Sequence, residues 1–444
     1  MADTDNSQLV DLLIHARWMI PVVPDGQVLE NCSLVVHQGR IQAIVPWDDA
    51  HRLYRAEESY ELNEHILIPG LVNAHNHAAM ALMRGYADDY PLQTWLQEHI
   101  WPAEGEWVSP EFVREGTRLS MAEMIRSGTT CFSDMYFFPD EVAREAVEAG
   151  MRCQITFPVF DFPSAWGRDA DDYIHKGLAL HDDYRSHPLV EVVFGPHAPY
   201  TVSDEPLKQI ATVAAQLESP VQIHLHETAR EVEDAVAANG GERPIQRLHR
   251  LGLLGPQTQC VHMTQLTDQD IELVAQTGAH VVHCPESNLK LASGFCPVQK
   301  LLDAGVNVAL GTDGAASNND QDLLGEMRTA ALLAKGVSGD AGAVDAHTAL
   351  RMATLNGARA LGLEAEIGSL EVGKAADITA IAVDNLESLP LYNPVSLLTY
   401  GNVSRQVSDV WVNGHLLLRG GQLQTLDEAE IRSNAQSWQA KLKK

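Results

Sequence analysis

Apolar and polar positions follow two distinct styles along this chain. Its middle holds short apolar runs rich in Val and Ile: Ile66–Val72, Thr129–Met135, Cys153–Val159, Val190–Pro196, Val221–His226, Thr258–Met263, His280–Cys284 and Val306–Leu310. Runs of this length, bounded by Gly, Pro or polar residues, read as buried parallel strands. Segments with helical spacing separate most of them. Pro110–Ser127 has Ser109 as N-cap, Pro110 at its first position and Gly128 at its end. Asp140–Glu148 stops at Gly150, Glu205–Leu217 follows Ser203-Asp204, and Asp268–Gln276 runs from Thr267 to Gly278. Repeated strand–helix alternation predicts an α/β fold, a (β/α)8 TIM-type barrel. An open doubly wound sheet would start with a glycine-rich phosphate turn, and none is present.

The chain ends are written in the second style. Cys32–His37 and Arg40–Val45 flank a Gln38-Gly39 turn, and Val407–Val412 and His415–Leu418 flank Asn413-Gly414, with Ile378–Val383 upstream. These predict a small β-sandwich domain built by both ends. The expected division is 1–64 for its N-terminal part, 65–374 for the barrel and 375–444 for its C-terminal part.

Charge narrows the partners. With 31 Lys+Arg against 60 Asp+Glu, the net charge is -29. Such a surface repels phosphate backbones and anionic lipid, so neither nucleic acid nor membrane is expected as a partner. Six cysteines without a CxxC pair read as free thiols of a reducing compartment. Met1-Ala2-Asp3-Thr4-Asp5 lacks the basic start of a secretory signal, which points to the cytoplasm.

The candidate chemistry lies where barrel strands should end, the face on which such folds place catalytic groups. His75 and His77 are spaced so that a strand would send both to one face. His197 follows the fourth run, His224 belongs to the fifth, His262 to the sixth, and Asp313 follows the eighth in Gly311-Thr312-Asp313-Gly314. The strand period does not choose between His224 and His226, and His262 reads as ligand or catalytic group. Three histidines and a carboxylate suit Zn²⁺, with water completing the shell. Lowering the pKa of that water from 15.7 to about 7 is worth roughly 12 kcal/mol of hydroxide stabilisation. A carboxylic acid near such a centre can donate a proton, and Glu227 lies three residues after His224.

His75-Asn76-His77, His224, His262 and Gly311-Thr312-Asp313 occur in the order that resembles the amidohydrolase superfamily. Leu82-Met83-Arg84-Gly85, the 195–200 stretch, His283–Leu291 and Gly311–Asn319 point to its branch of adenosine-type deaminases and triazine chlorohydrolases. Trp95-Leu96 followed by 100–104, Ile-Trp-Pro-Ala-Glu, is similar to the 5'-methylthioadenosine/S-adenosylhomocysteine deaminases. The resemblance implies zinc, one per subunit, on His75, His77, His224 and Asp313. It implies Glu227 as the acid toward ring nitrogen N1, Asp313 as the base, and His262 as the group that orients the nucleophile. It further implies Glu104 on the ribose diol and His197 against the nucleoside. Two-metal relatives of this layout often carry a modified lysine on strand four, and 190–196 has no lysine, which favours a single ion.

The expected activity is hydrolytic deamination of an adenine nucleoside, first 5'-methylthioadenosine, then S-adenosylhomocysteine or adenosine, by a homo-oligomer. The stretch after strand three, 157–168, is aromatic and apolar with one arginine, which favours the methylthio group over a carboxylate tail. The alternatives are a guanine or pterin deaminase, a triazine-type chlorohydrolase, and a non-catalytic barrel scaffold.

Overall fold

The computed structural model describes residues 7–443, so Met1–Asp5, the segment without a secretory pattern, lie outside the described residues. The described residues form two eight-strand sheets. One is wholly parallel and follows chain order through Leu71–Asn76, Thr129–Asp134, Arg152–Val159, Val190–Pro196, Val221–Leu225, Thr258–His262, His280–His283 and Val308–Leu310. These are barrel strands one to eight. Strands one, two, three, five, six and eight are buried at every residue. Burial on both faces is why they read as continuous apolar runs.

Helices Pro110–Arg126, Pro139–Ala149, Ala170–Tyr184, Asp204–Leu217, Asp268–Thr277 and Leu323–Ser338 lie between or after the strands. Ser109 caps the first by accepting the Phe112 N–H, and Gly150 and Gly278 end theirs in the left-handed conformation. Side chains close the seam between strands one and eight. Asn73 donates to Thr312 Oγ1 at 2.7 Å and accepts the Thr312 N–H at 3.0 Å, while the Asp313 N–H donates to the His75 carbonyl at 3.1 Å.

The first strand corrects the sequence reading. Ile66–Val72 is not one barrel strand: Tyr54–Pro69 belongs to the second sheet, and the barrel begins at Leu71. The run looks continuous because both sheets bury it. Gly70 marks the crossing, since a Cβ there would lie 2.0 Å from Thr130 Oγ1. The strand therefore starts later and carries His75 itself, with His77 just beyond it.

The second sheet joins the two chain ends. Gln8–Met19 lies between Leu29–His37 and Tyr54–Pro69, and Tyr54–Pro69 pairs on its other side with Ile378–Ala382, Thr379 opposite Ile68. Its two halves share one core, Ile14, Leu34 and Val36 meeting Tyr60, Ile378 and Trp411. The hairpin turns at Gln38-Gly39 and Asn413-Gly414 all have positive φ, as a two-residue turn of this twist requires. Gln8–Met19 and most of Tyr54–Pro69 lack clean alternation, so the sequence did not announce them. No helix among the described residues is long and apolar enough to cross a membrane.

A buried ion pair ties this sheet to the barrel. Arg152, opening strand three, donates twice to Asp377, at 2.9 and 3.2 Å, and Asp377 also accepts the Asn413 N–H at 2.8 Å. Removing one partner strands a buried charge, which costs about 3–5 kcal/mol. Asp377→Ala is expected to lower the thermal midpoint markedly. Adding Arg152→Met should restore much of the loss, and calorimetry on the single and double variants checks both.

Candidate metal and substrate site

The first strand delivers His75 and His77, the fifth His224, and the turn after the eighth Asp313. Ligand atoms of His75, His77 and His224 lie within 4.8 Å of one another. Asp313 Oδ1 is 3.5 Å from His75 Nε2 and 3.2 Å from His77 Nε2, and His224 Nε2 is 3.2 Å from His75 Nε2.

The outward nitrogen of each ring is held by an acceptor. His75 Nδ1 meets Gln222 Oε1 at 2.7 Å, His77 Nδ1 the Met135 carbonyl at 2.5 Å, and His224 Nδ1 the His197 carbonyl at 2.7 Å. A carbonyl only accepts, so each Nδ1 keeps a proton, and in the neutral ring each Nε2 presents a lone pair. Gln222 is itself oriented, its amide donating to the Ala74 carbonyl at 3.0 Å and to Gln259 Oε1 at 2.6 Å. Three lone pairs and a carboxylate facing one point, without a donor among them, suit a divalent cation. This donor set fits zinc, and the acceptors behind the rings are those that orient metal-binding histidines.

Asp313 is fixed from behind. Its Oδ2 accepts from Ser287 Oγ at 2.7 Å and Ser317 Oγ at 2.9 Å, and its Oδ1 accepts the Gly314 N–H at 2.8 Å. Burial raises the carboxyl's pKa, but the His75 and His77 rings beside it outweigh that effect and hold the group well below the carboxylate range. Burial, followed by the neighbouring His75, holds the His224 imidazole well below its usual value, which keeps it neutral.

His226 is not part of the cluster. It has φ 53°, so the chain leaves the strand after Leu225 and the i, i+2 rule stops applying. Its Nδ1 meets the Gln265 carbonyl at 3.0 Å and its Nε2 accepts the Ile245 N–H at 3.1 Å. The choice between His224 and His226, open in the sequence, is thus made by a left-handed residue. His262 and Asp313 also leave their strands at positive φ, 76° and 59°. Strain of this kind gathers at sites that the surrounding structure over-determines.

His262 differs from the three ring nitrogens of the cluster. Its Nδ1 accepts from the Asn288 amide at 3.0 Å, which puts its proton on Nε2, 3.7 Å from Glu227 Oε2. His262 therefore faces the site as a donor, not as a lone pair. Glu227 is buried, and its Oε1 accepts from Ser293 Oγ at 3.2 Å. Burial, then the Asp313 and Glu231 carboxylates, push its pKa well above the usual value, which favours its protonated form.

A cavity of about 110 Å³ opens over the cluster. His77, His197, His224, Glu227, His262 and Asp313 form its polar part, and Trp95, Trp101, Phe137, Phe160, Phe162 and Tyr200 its aromatic walls. No Lys or Arg is among its lining residues. Glu104, on the helix Trp101–Trp107, reaches the same cavity and accepts from the Tyr136 hydroxyl at 2.7 Å. Burial pushes its carboxyl up to about 7 against the opposing effects of Tyr136 and His77. The His197 ring lies over Phe160 at 4.8 Å, with Nδ1 3.0 Å from Thr201 Oγ1.

All eight residues singled out in the sequence border this one cavity or its floor. Sequence reasoning missed Gln222, Tyr136, Ser293 and the supporting parts of Ser287, Asn288 and Ser317. Gln222 had a usable signal, being two residues before His224 on one strand face. Tyr136 had none, because its partner Glu104 is distant in sequence.

Comparison with known proteins gives a consistent set of matches. The model of the Amidohydrolase family matches residues 66–417. A 5-methylthioadenosine/S-adenosylhomocysteine deaminase of Saccharophagus degradans is 57% identical over 437 residues, 98% of each chain. The crystal structure of an adenosine deaminase from Xanthomonas campestris with bound zinc superposes with a TM-score of 0.97 at 48% identity, covering 98% of this chain and 99% of that one. The zinc complex of atrazine chlorohydrolase from Arthrobacter aurescens, at 24% identity and a TM-score of 0.90, covers 96% and 99% and shares the fold.

Proposed function

This chain belongs to the amidohydrolase family, and from that premise we propose that it is a zinc-dependent deaminase of adenine nucleosides, converting 5'-methylthioadenosine to 5'-methylthioinosine and ammonia. One observation carries the reading: a single cavity joins the His–Asp cluster and the buried Glu227 at its floor to Glu104 in an otherwise aromatic and apolar wall. A purine held against the first pair can place its ribose diol on the second.

His75, His77, His224 and Asp313 would hold one zinc ion, which when bound supplies a Lewis acid for activating water. Asp313 accepts the proton that water gives up and passes it to the C6 amine, which leaves as ammonia as the C6–N bond breaks, while the proton left on the entering oxygen returns to Glu227 as the C6 carbonyl forms. Glu227 holds its proton at Oε for the ring nitrogen that gains electron density as water adds to C6. The His262 Nε2–H, set by Asn288, hydrogen-bonds the oxygen that enters. Two carboxyl groups with opposite protonation in one site can serve as acid and base, and burial against charge separates them here. The aromatic walls exclude bulk water and stack on the base.

Glu104 marks the substrate as a nucleoside rather than a free base. Glu104→Gln is expected to lower kcat/KM for 5'-methylthioadenosine roughly ten- to hundredfold, the value of a hydrogen bond to a charged group. A base deaminase, which needs no ribose contact, would be hardly affected by the same change. The absence of a cation in the lining favours the methylthio group over a homocysteine carboxylate. Comparing kcat/KM on both thioethers tests this, and faster turnover of S-adenosylhomocysteine rejects it. The six cysteines are all free, which supports a cytoplasmic enzyme. A homo-oligomeric state belongs to the same proposal and is measured by sedimentation.

A further inference from the structure

Outside the barrel, a second set of metal-type side chains converges on the end sheet. His15, in the strand Gln8–Met19, is fully buried. Its cross-strand neighbours are Ser33 on one side and Glu61 on the other. Ser33 Oγ engages His15 Nδ1 at 2.6 Å, whereas the buried Nε2 has no hydrogen-bond partner and points toward Glu61 Oε1 at 3.6 Å. A short helix, Trp47–Leu53, lays His51 on the His15 ring with centroids 4.7 Å apart. Ligand atoms of His15, His51 and Glu61 all lie within 4.8 Å of one another.

We propose that His15, His51 and Glu61 form a second cation site, for a divalent transition metal of the zinc class, that clips the helix Trp47–Leu53 onto the end sheet. Two imidazoles and one carboxylate select such ions over Mg²⁺ or Ca²⁺, which prefer oxygen alone. An orphaned buried nitrogen is costly without a partner, and a cation would satisfy it. Entry is open, because His51 is exposed and the Glu61 side chain is half exposed. His51 Nε2 now accepts the Trp47 indole N–H at 2.9 Å, so a cation taking that lone pair would displace the indole. Binding should therefore change the emission of Trp47. The site shares no residue with the barrel cluster and stands whether or not the proposed substrate is correct.

The test titrates the zinc-loaded enzyme with ZnCl2 by calorimetry, alongside His51→Ala and Glu61→Gln. The wild type should take up one further equivalent, with binding at least about tenfold weaker in either variant and deamination unchanged in both. A parallel Cu²⁺ titration should quench tryptophan emission in the wild type and less in His51→Ala. Equal uptake and equal quenching by wild type and variants would mark adventitious surface binding only and overturn the proposal, as would no uptake beyond the barrel site.

Discussion

Glu227→Gln should lower kcat on 5'-methylthioadenosine by about 10²–10⁴-fold, the usual worth of a positioned general acid. Burial and two neighbouring carboxylates keep the Glu227 proton in place, and Ser293 and His262 fix the side chain beside the cluster. Glutamine fills the same volume and can donate a hydrogen bond, but it cannot hand a proton to a ring nitrogen. KM and zinc content should therefore change little while kcat collapses. Steady-state kinetics with metal analysis on one preparation reads all three. A variant that keeps its kcat would remove Glu227 from the chemistry.

The second large effect concerns the cluster itself. His77→Ala and Asp313→Ala should each strip zinc from the dialysed protein and cut kcat/KM by at least about 10³-fold, since Lewis-acid stabilisation is worth several kcal/mol. The remaining groups would form an incomplete shell, with His75 and His224 lone pairs 3.2 Å apart. The fold should survive, because the seam between strands one and eight is carried by Asn73 and Thr312 rather than by the cluster. Circular dichroism separates loss of metal from loss of structure.

Much of this was legible in residue order, and the exceptions have physical causes. Strand–helix alternation in the middle of the chain required only buried parallel strands and capped helices, and both leave strong local marks, such as Ser109 and Gly278. The switch at Gly70 left no mark in hydropathy, because the strand is buried on both sides of the crossing. The long strand Gln8–Met19 is covered unevenly by its neighbours, so its pattern matches no simple period. At the site, residue types and spacing near strand ends pointed to the candidates, and the family resemblance chose among them. Residue types and spacing could not separate His224 from His226, since that depends on a backbone angle. Nor could they show that His262 faces inward with its proton, because Asn288 sets that from another element. The hydrogen bond between Tyr136 and Glu104 was equally invisible, being a product of tertiary folding.

The central claim is that a cation held by His75, His77, His224 and Asp313 serves an adenine nucleoside in this cavity. The most direct measurement is ammonia release by the zinc-loaded protein from 5'-methylthioadenosine, adenosine, S-adenosylhomocysteine and guanine, with a triazine scored for chloride release. The fastest turnover is expected on 5'-methylthioadenosine, with none on guanine or the triazine and loss of all activity on chelation. Turnover confined to guanine or the triazine, or full activity after the metal is removed, would contradict the claim.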